Sequence, residues 1–186
     1  MKLSLVLFFI GWATGFIGPM EPTSAKMDPT GNAFIYRPLD TIDLATVREE
    51  YREASQNEEA TKALYQALTG VGKDDNTVLV AYRGAVTTMM ADYAQGIKDK
   101  KTLFKEGREL LEHAIETEPD NVEIRCIRLS VQENVPKITG YHKEIEADKQ
   151  FILENCASMT DKGAKAFVKR YVSQSEAFTE AEKRMI

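Results

Sequence analysis

Apolar side chains recur at helical spacing from Ile42 to the end of the chain, and this pattern limits the possible folds more than any other feature. Leu79, Tyr82 and Val86, for example, follow one another at steps of three and four residues, which places them on one face of a helix. No stretch combines strict alternation of apolar and polar residues with the β-branched enrichment of a strand. Eight segments carry the helical pattern, so we predict an all-α fold.

Asp and Asn residues mark the expected starts of several of these helices. Asp75 or Asn76 precedes the third apolar stripe, Asp120 or Asn121 precedes the fifth, and Asp161 precedes the seventh. The three starts lie 45 and 41 residues apart, which is the spacing of helical hairpins that stack. Because one hairpin cannot bury both of its faces, we predict stacked hairpins that share a core.

Other local signals predict where individual helices begin and end. Ser55 followed by Glu58 has the capping-box pattern and places the start of the second helix there. Gly96 is expected to end the third helix. The fourth helix is expected over residues 102–117, which leaves the lysine-rich residues 97–101 in a loop.

The N-terminus has the pattern of a signal peptide. One positive charge at Lys2 precedes an almost uninterrupted apolar run over residues 3–17. This run is shorter than the roughly 20 residues that a membrane-spanning helix needs, although an uncleaved anchor is the alternative. Small residues at 13–15 and at 23–25 give two candidate cleavage points, and the sequence does not decide between them.

These features divide the chain into three parts. Residues 1–25 are interpreted as the signal peptide, residues 26–40 as an extended N-terminal segment and residues 41–186 as the helical domain. Pro and Gly residues interrupt any periodic pattern in the middle part. We therefore expect an exported protein, periplasmic or secreted, with no integral membrane span after processing.

One helix junction resembles the second half of a tetratricopeptide repeat. Gly107, Leu111, Ala114 and Pro119 supply its small, large and small residues and the proline that follows the helix. The small residues let two helices approach closely, and the proline stops the second helix. The first-helix signature of the repeat is not reproduced, so the resemblance implies a degenerate tetratricopeptide-like solenoid.

A longer stretch resembles a group of small exported bacterial helical proteins. It covers residues 118–152, with the sequence EPDNVEIRCIRLSVQENVPKITGYHKEIEADKQFI. This resemblance implies export and a helical fold, and it implies no particular chemistry.

The composition and the missing motifs argue against several classes of function. The chain has 24 Lys plus Arg against 29 Asp plus Glu, a net charge of −5, and an acidic chain without a long basic run repels nucleic acid. Its two histidines, His113 and His142, lie in different helical units, so no zinc-ligand pair is formed. No nucleophile-elbow, Walker or dinucleotide-binding motif occurs. We predict no enzymatic activity, no cofactor and no metal.

The two cysteines leave two alternatives open. Cys126 and Cys156 fall on the predicted fifth and sixth helices, which should pack as one hairpin. In an exported protein they can form a disulfide, provided that their Cα atoms lie within roughly 7 Å. The alternative is a pair of buried thiols that fill the core.

The sequence therefore favours a module that binds an unknown protein partner. Helical solenoids bind through aromatic and arginine side chains on their concave face, which makes Tyr82, Arg83, Tyr141 and His142 the candidate partner-binding residues. The alternative places Tyr82 in the core and makes Tyr141 a staple for its loop. A different function is also open, in which a small apolar ligand binds between helices. The residues that suggest this ligand site are Met89, Met90, Tyr93 and Phe104.

Overall fold

The computed structural model of this protein describes Lys26–Met27, Ala33–Phe34 and residues 42–186. The chain divides between residues 35 and 36 into two units. The predicted signal peptide at residues 1–25 lies outside the described residues.

The first unit contains a short antiparallel strand pair. Strand β1 (Lys26–Met27) pairs with β2 (Ala33–Phe34), with Lys26 opposite Phe34 and Met27 opposite Ala33. These strands lie within the segment predicted to be extended, residues 26–40, most of which is outside the described residues.

The second unit is helical, and the all-α prediction is confirmed. Residues 42–186 form eight α-helices: α1 (Leu44–Ala54), α2 (Glu58–Ala67), α3 (Thr77–Tyr93), α4 (Ile97–Thr117), α5 (Val122–Asn134), α6 (Ile145–Asn155), α7 (Lys162–Gln174) and α8 (Glu180–Lys183). Short 3-10 turns follow α5 at Lys137–Thr139 and α6 at Cys156–Ser158.

Side-chain caps explain where most of these helices begin. The side chains of Asn76, Asn121 and Asp161 accept hydrogen bonds from the first backbone N–H groups of α3, α5 and α7, as predicted. Asp43 and Asn57 cap α1 and α2 in the same way. Each cap satisfies backbone donors that have no partner within the helix.

Two predicted boundaries are wrong. Asn57, not Ser55, caps α2, because the Ser55 hydroxyl instead donates to the Arg52 carbonyl at the end of α1, at 2.8 Å. Gly96 does not end α3 but stands immediately before α4, which begins at Ile97. The residues expected to form a loop, 97–101, are therefore the first turns of a 21-residue helix.

The helices pack in a regular order. Helix α1 packs on α2, α3 on α4 and α5 on α6, while the odd-numbered helices α1, α3, α5 and α7 also pack on one another in succession. Between the pairs, α2 contacts α3 and α4 contacts α5. Each helix pair is thus joined to the next one along the chain.

The closest helix approach lies between α3 and α4. A Cβ atom on Gly107 would lie 2.5 Å from the carbonyl oxygen of Gly84, and one on Gly84 would lie 2.8 Å from the carbonyl oxygen of Gly107. Only glycine leaves room for this contact, which confirms the expectation that Gly107 permits close packing.

Two apolar clusters form the core. The first joins α1 to α5 around Leu64, Tyr82 and Leu111, and the second joins α5, α6 and α7 around Ile152 and Val168. The clusters together fix the positions of α1, α3, α5 and α7, which line the groove described next.

A candidate binding groove

An open groove of about 1370 Å³ runs along the helical unit. It is lined by residues of α1, α3, α4, α5 and α7 and by the turn after α5. Exposed side chains stand around it, including Asn134, Gln174 and Ile138, of which Ile138 is 96% exposed. The groove is therefore accessible to a large molecule.

Helix α4 forms one wall of the groove with a stripe of basic residues around a phenylalanine. Lys101, Phe104, Lys105 and Arg108 recur at helical spacing, and all four line the groove. We call these four residues the α4 stripe. The two lysines are exposed, whereas Phe104 and Arg108 are half-buried.

The cations of the α4 stripe have few partners. Lys105 reaches Glu109 of its own helix at 3.6 Å, where both side chains are exposed and the pair contributes little. The side chains of Lys101 and Arg108 make no hydrogen bond or ion pair with any residue that the structure describes. Their charges are available to a ligand.

Helices α1 and α7 contribute a second set of charged groove residues, and these charges are paired. Arg170 donates to Glu49 at 3.0 Å, and Arg52 donates to the same carboxylate at 3.0 Å. These hydrogen bonds, that from Arg52 foremost, lower the pKa of Glu49. Arg52 and Arg170 are thus both paired with Glu49, unlike the cations of the α4 stripe.

Aromatic rings support the floor of the groove. Tyr51 and Phe167 line it and pack on the buried Tyr82, with ring centroids 5.1 Å apart for Tyr51–Tyr82 and 5.8 Å apart for Tyr82–Phe167. The Tyr51 hydroxyl is held 2.8 Å from Ser130 Oγ, and burial raises the pKa of Tyr51. The floor is consequently a rigid, partly aromatic surface.

A buried ion pair fixes α1 to α5 beneath this floor. Arg48 donates from Nε and Nη2 to the two carboxylate oxygens of Glu123, at 2.7 and 2.9 Å. The Tyr82 hydroxyl donates to Glu123 at 2.8 Å, and Arg48 also reaches Asp161 at 3.2 Å. The hydrogen bond with Glu123 raises the pKa of Arg48, and burial raises that of Tyr82.

A second buried carboxylate ties α5 to α6. Asp148, with no exposed surface, accepts two hydrogen bonds from Arg128 at 2.7 Å each and a third from Arg125 at 3.0 Å. Arg128 also donates to Glu112, which in turn accepts a hydrogen bond from Tyr141. Asp148, Arg128 and Tyr141 are buried, whereas the Glu112 side chain stays 36% exposed, so this network joins the interior to the surface.

At the far end of the groove a third carboxylate is fully engaged. Glu133 accepts hydrogen bonds from the Tyr171 hydroxyl, from Ser175 Oγ at 2.8 Å and from the backbone N–H of Ala177 at 2.8 Å. These contacts connect α5 to the segment after α7.

The sum of the charges in the groove opposes that of the chain. Seven Lys and Arg residues and four Asp and Glu residues line it, whereas the whole chain has a net charge of −5. One of the seven, Arg48, is paired with Glu123 behind the lining, and the other six still outnumber the four acids. The groove is therefore a basic region of an acidic protein.

The four predicted partner-binding residues do not form this groove. Tyr82 is 0% exposed and lies in the first apolar cluster, which is the alternative given for it in the sequence analysis. Tyr141 is also buried, at 8% exposed, because its ring packs edge-on against Phe104 and its hydroxyl binds Glu112.

Arg83 and His142 are half-buried and lie outside the groove lining. Arg83 binds the Val71 carbonyl and approaches Glu106 at 3.7 Å, while His142 Nε2 lies 3.0 Å from the Val135 carbonyl. Their role in partner binding stays a prediction.

The cysteines are free thiols, and no disulfide joins them. Cys126 on α5 and Cys156 at the end of α6 are both buried in the second apolar cluster. Burial raises the pKa of both thiols. Of the two alternatives, the structure has the one in which the thiols fill the core.

Sequence reasoning noted a basic patch of Lys98–Lys101 and Lys105, and Phe104 as a ligand contact, but did not join them with Arg108 into one stripe. The signal was present as Lys101, Phe104, Lys105 and Arg108 at helical spacing, but the expected loop at residues 97–101 separated the first lysine from the rest. The helix joins them on one face.

Neither a metal-binding cluster nor a membrane-spanning helix occurs among the described residues. Residues 42–186 and the two strands hold no group of three or more His, Cys, Asp and Glu side chains arranged to bind a metal ion. None of the helices in this part of the chain has both the length and the apolar character required to cross a bilayer.

Comparison of the chain with protein-family models, with curated proteins and with solved structures gives no match.

Proposed function

We propose that this protein is an exported, non-enzymatic interaction module of the bacterial envelope, which binds a segment of a partner protein in the groove. The observation that carries this proposal is the open groove of about 1370 Å³, formed jointly by α1, α3, α4, α5 and α7. Five helices that contribute to one accessible surface can hold an extended or helical segment along its length.

The side chains of the groove suit a protein ligand. Tyr93, Phe104, Phe167 and Tyr171 line it and are half-buried, so each leaves part of its ring accessible. Aromatic and arginine side chains supply most of the binding energy in protein interfaces, because they combine large contact area with few rotatable bonds.

The order of helix packing supports the same function. In a tetratricopeptide-like solenoid, successive hairpins stack so that one helix of each pair faces a shared concave surface. The succession α1, α3, α5, α7 is compatible with that arrangement, and these four helices contribute to the groove. Because a fold does not dictate a function, the proposal depends on the groove itself.

A small apolar ligand is the second candidate. Met89, Tyr93 and Phe104 of the suggested ligand site line the groove, whereas Met90 does not. Sites for small ligands are concave, mostly apolar and about 300–1,000 Å³ in volume. The larger volume, the open mouth and the charged α4 stripe support a protein segment over such a ligand.

The location is proposed from the N-terminal sequence pattern at residues 1–25. It is tested by fractionating the producing cells and sequencing the N-terminus of the isolated protein. We expect recovery with the envelope or the medium and a start within or just after the predicted signal peptide.

Photo-crosslinking in the producing cells tests the binding function. A crosslinking amino acid replaces Gln174 or Asn134 in the groove, or Gln66 on α2 as an exposed control outside it. We expect both groove positions to capture the same protein and the control not to capture it. A second variant, Ala166→Trp, places a large side chain in the groove and should abolish the adduct.

Adducts that form equally from Gln66, or that persist in the Ala166→Trp protein, would contradict binding in the groove. A crosslink to a small molecule, identified by its mass, would instead support the apolar-ligand alternative.

A further inference from the structure

We infer that the segment bound in the groove is acidic, with an apolar side chain flanked by carboxylates, and that the α4 stripe is the element that selects it. This inference rests on the proposed function and adds the chemical class of the partner.

The first support is the pattern of ion pairing around the groove. On the α1 and α7 wall, Arg52 and Arg170 are both satisfied by Glu49. On α4, the side chains of Lys101 and Arg108 have no hydrogen-bond or ion-pair partner among the described residues, and Lys105 has only a long, exposed contact with Glu109. Two cations of α4, Lys101 and Arg108, therefore lack an acceptor among the described residues, and the third, Lys105, has only this weak one.

The second support is the geometry of the stripe. Phe104 stands one helical turn from both Lys101 and Arg108 and directly precedes Lys105, so an apolar surface is bordered by positive charge on both sides. Its ring is fixed from behind by an edge-on contact with Tyr141, at 6.0 Å between centroids. A complementary ligand presents an apolar side chain to Phe104 and carboxylates to the lysines and the arginine.

The third support is the contrast with the rest of the chain. The net charge of −5 repels acidic proteins, yet the groove lining has three more cations than anions. Charge complementarity of this kind speeds encounter and rejects ligands of the wrong sign. An acidic segment is accordingly favoured in the groove and disfavoured elsewhere on the protein.

The shape of the surface decides between a protein segment and an anionic membrane. Phe104 and Arg108 are half-buried within a concave groove that has a second wall of α1 and α7 residues. A flat layer of lipid headgroups reaches exposed lysines but does not enter a concavity to meet both walls. A protein segment does.

Selection from a displayed library of random peptides tests the inference on the full-length chain. The library holds acidic and basic residues in equal proportion, and recovered peptides are counter-selected against the Ala166→Trp protein. We expect the recovered peptides to be rich in Asp and Glu around an apolar residue. Their binding should weaken when NaCl rises from about 0.1 to about 1 M, which shortens the Debye length from about 10 to about 3 Å.

Two charge-reversal variants, one in the α4 stripe and one control outside the groove, test whether the stripe selects the peptide. The variant Lys101→Glu/Lys105→Glu/Arg108→Glu should weaken binding of the best peptide by about tenfold or more. The control Lys73→Glu/Lys143→Glu/Lys162→Glu makes the same change in net charge at exposed positions outside the groove and should change it by less than about twofold. If the reversed stripe unfolds the chain, glutamine at the same three positions replaces it.

The outcomes separate this inference from the function on which it rests. Peptides that depend on the groove but are not acidic, or that bind the reversed stripe equally well, overturn the inference and leave the binding function intact. No groove-dependent peptide overturns the binding function as well. Stripe-dependent binding to phosphatidylglycerol vesicles, without stripe-dependent peptides, overturns the inference in favour of a membrane surface.

Discussion

Glu123 shows how a single buried charge can hold several helices in place. It lies on α5 with 2% exposure and accepts hydrogen bonds from Arg48 of α1 and Tyr82 of α3. A carboxylate is costly to bury, and only the two-pronged contact with Arg48 and the tyrosine hydroxyl compensates for the lost hydration. If either Arg48 or Tyr82 were removed, the buried Glu123 carboxylate would lose part of its hydrogen bonding.

Replacement of Arg48 by methionine should therefore destabilise the protein strongly. We expect the free energy of unfolding to fall by about 3–5 kcal/mol, because the change leaves Glu123 buried without its cation. Urea denaturation followed by circular dichroism measures it. The control Arg52→Met removes a solvent-exposed ion pair with Glu49 and should cost no more than about 1 kcal/mol. Equal losses in the two variants would contradict this account of Glu123.

The two thiols offer a second prediction for single residues. Because burial raises the pKa of Cys126 and Cys156, both are protonated and shielded, and alkylation of the folded protein should be slow at pH of about 8. In denaturant without reductant, mass spectrometry should show two adducts. If adducts appear only after reduction, the cysteines form a disulfide and the free-thiol assignment is wrong.

At the scale of helices, the contact between α3 and α4 positions the basic wall of the groove. Gly84 and Gly107 bring the two backbones together so closely that neither position accepts a side chain. Gly107 directly precedes Arg108, the last residue of the α4 stripe. The contact of Gly107 with Gly84 therefore fixes the position of the charges of the stripe.

A methyl group at Gly107 should accordingly separate the helices. Gly107→Ala places Cβ 2.5 Å from the Gly84 carbonyl oxygen, and we expect a net loss of stability, since overpacking costs about 1–3 kcal/mol against a gain of about 1 kcal/mol in helix propensity. Thermal unfolding measures the change. The matched control is Gly72→Ala, whose Cβ would make only an ordinary contact at 3.5 Å. A Gly107→Ala protein as stable as the wild type would contradict the close packing.

Proline substitution tests the observed start of α4. Lys101→Pro removes a backbone hydrogen bond inside the helix and should cost about 3 kcal/mol, or unwind the first turns. Ile97→Pro is the control, because the first helical position has no such bond to lose and Ile97 is 75% exposed. If both prolines are tolerated equally in denaturation experiments, residues 97–101 form a loop as the sequence suggested.

The contrast between correct and incorrect predictions has a physical origin. Apolar spacing and Asx caps act within a few residues, so the helix class and the starts of α3, α5 and α7 were predictable. The start of α4 was not, because Gly96 signals a helix end as readily as a beginning, and no side chain caps α4. Which tyrosine is exposed depends on long-range contacts such as Tyr82 with Glu123, 41 residues away, and spacing does not encode these.

For the molecule as a whole, the distribution of charge is the property that connects structure to the proposed function. The chain carries a net charge of −5, but the groove lining carries seven cations against four anions. Arg52 on α1 and Arg170 on α7 are paired with Glu49, while the cations of the α4 stripe have few partners among the described residues. The groove thus combines a concave shape with an excess of positive charge, in a chain whose net charge is negative.

Accessibility of the groove in living cells tests this account most directly. Single cysteines replace Gln174 in the groove or Gln66 on α2, both of them exposed, in a chain whose own cysteines are buried. The rate of maleimide labelling is measured in intact cells and on the isolated protein. If a partner occupies the groove, the cysteine at 174 should react several-fold more slowly in cells than in isolation, while the cysteine at 66 keeps its relative rate. Equal ratios at the two positions would contradict occupation of the groove.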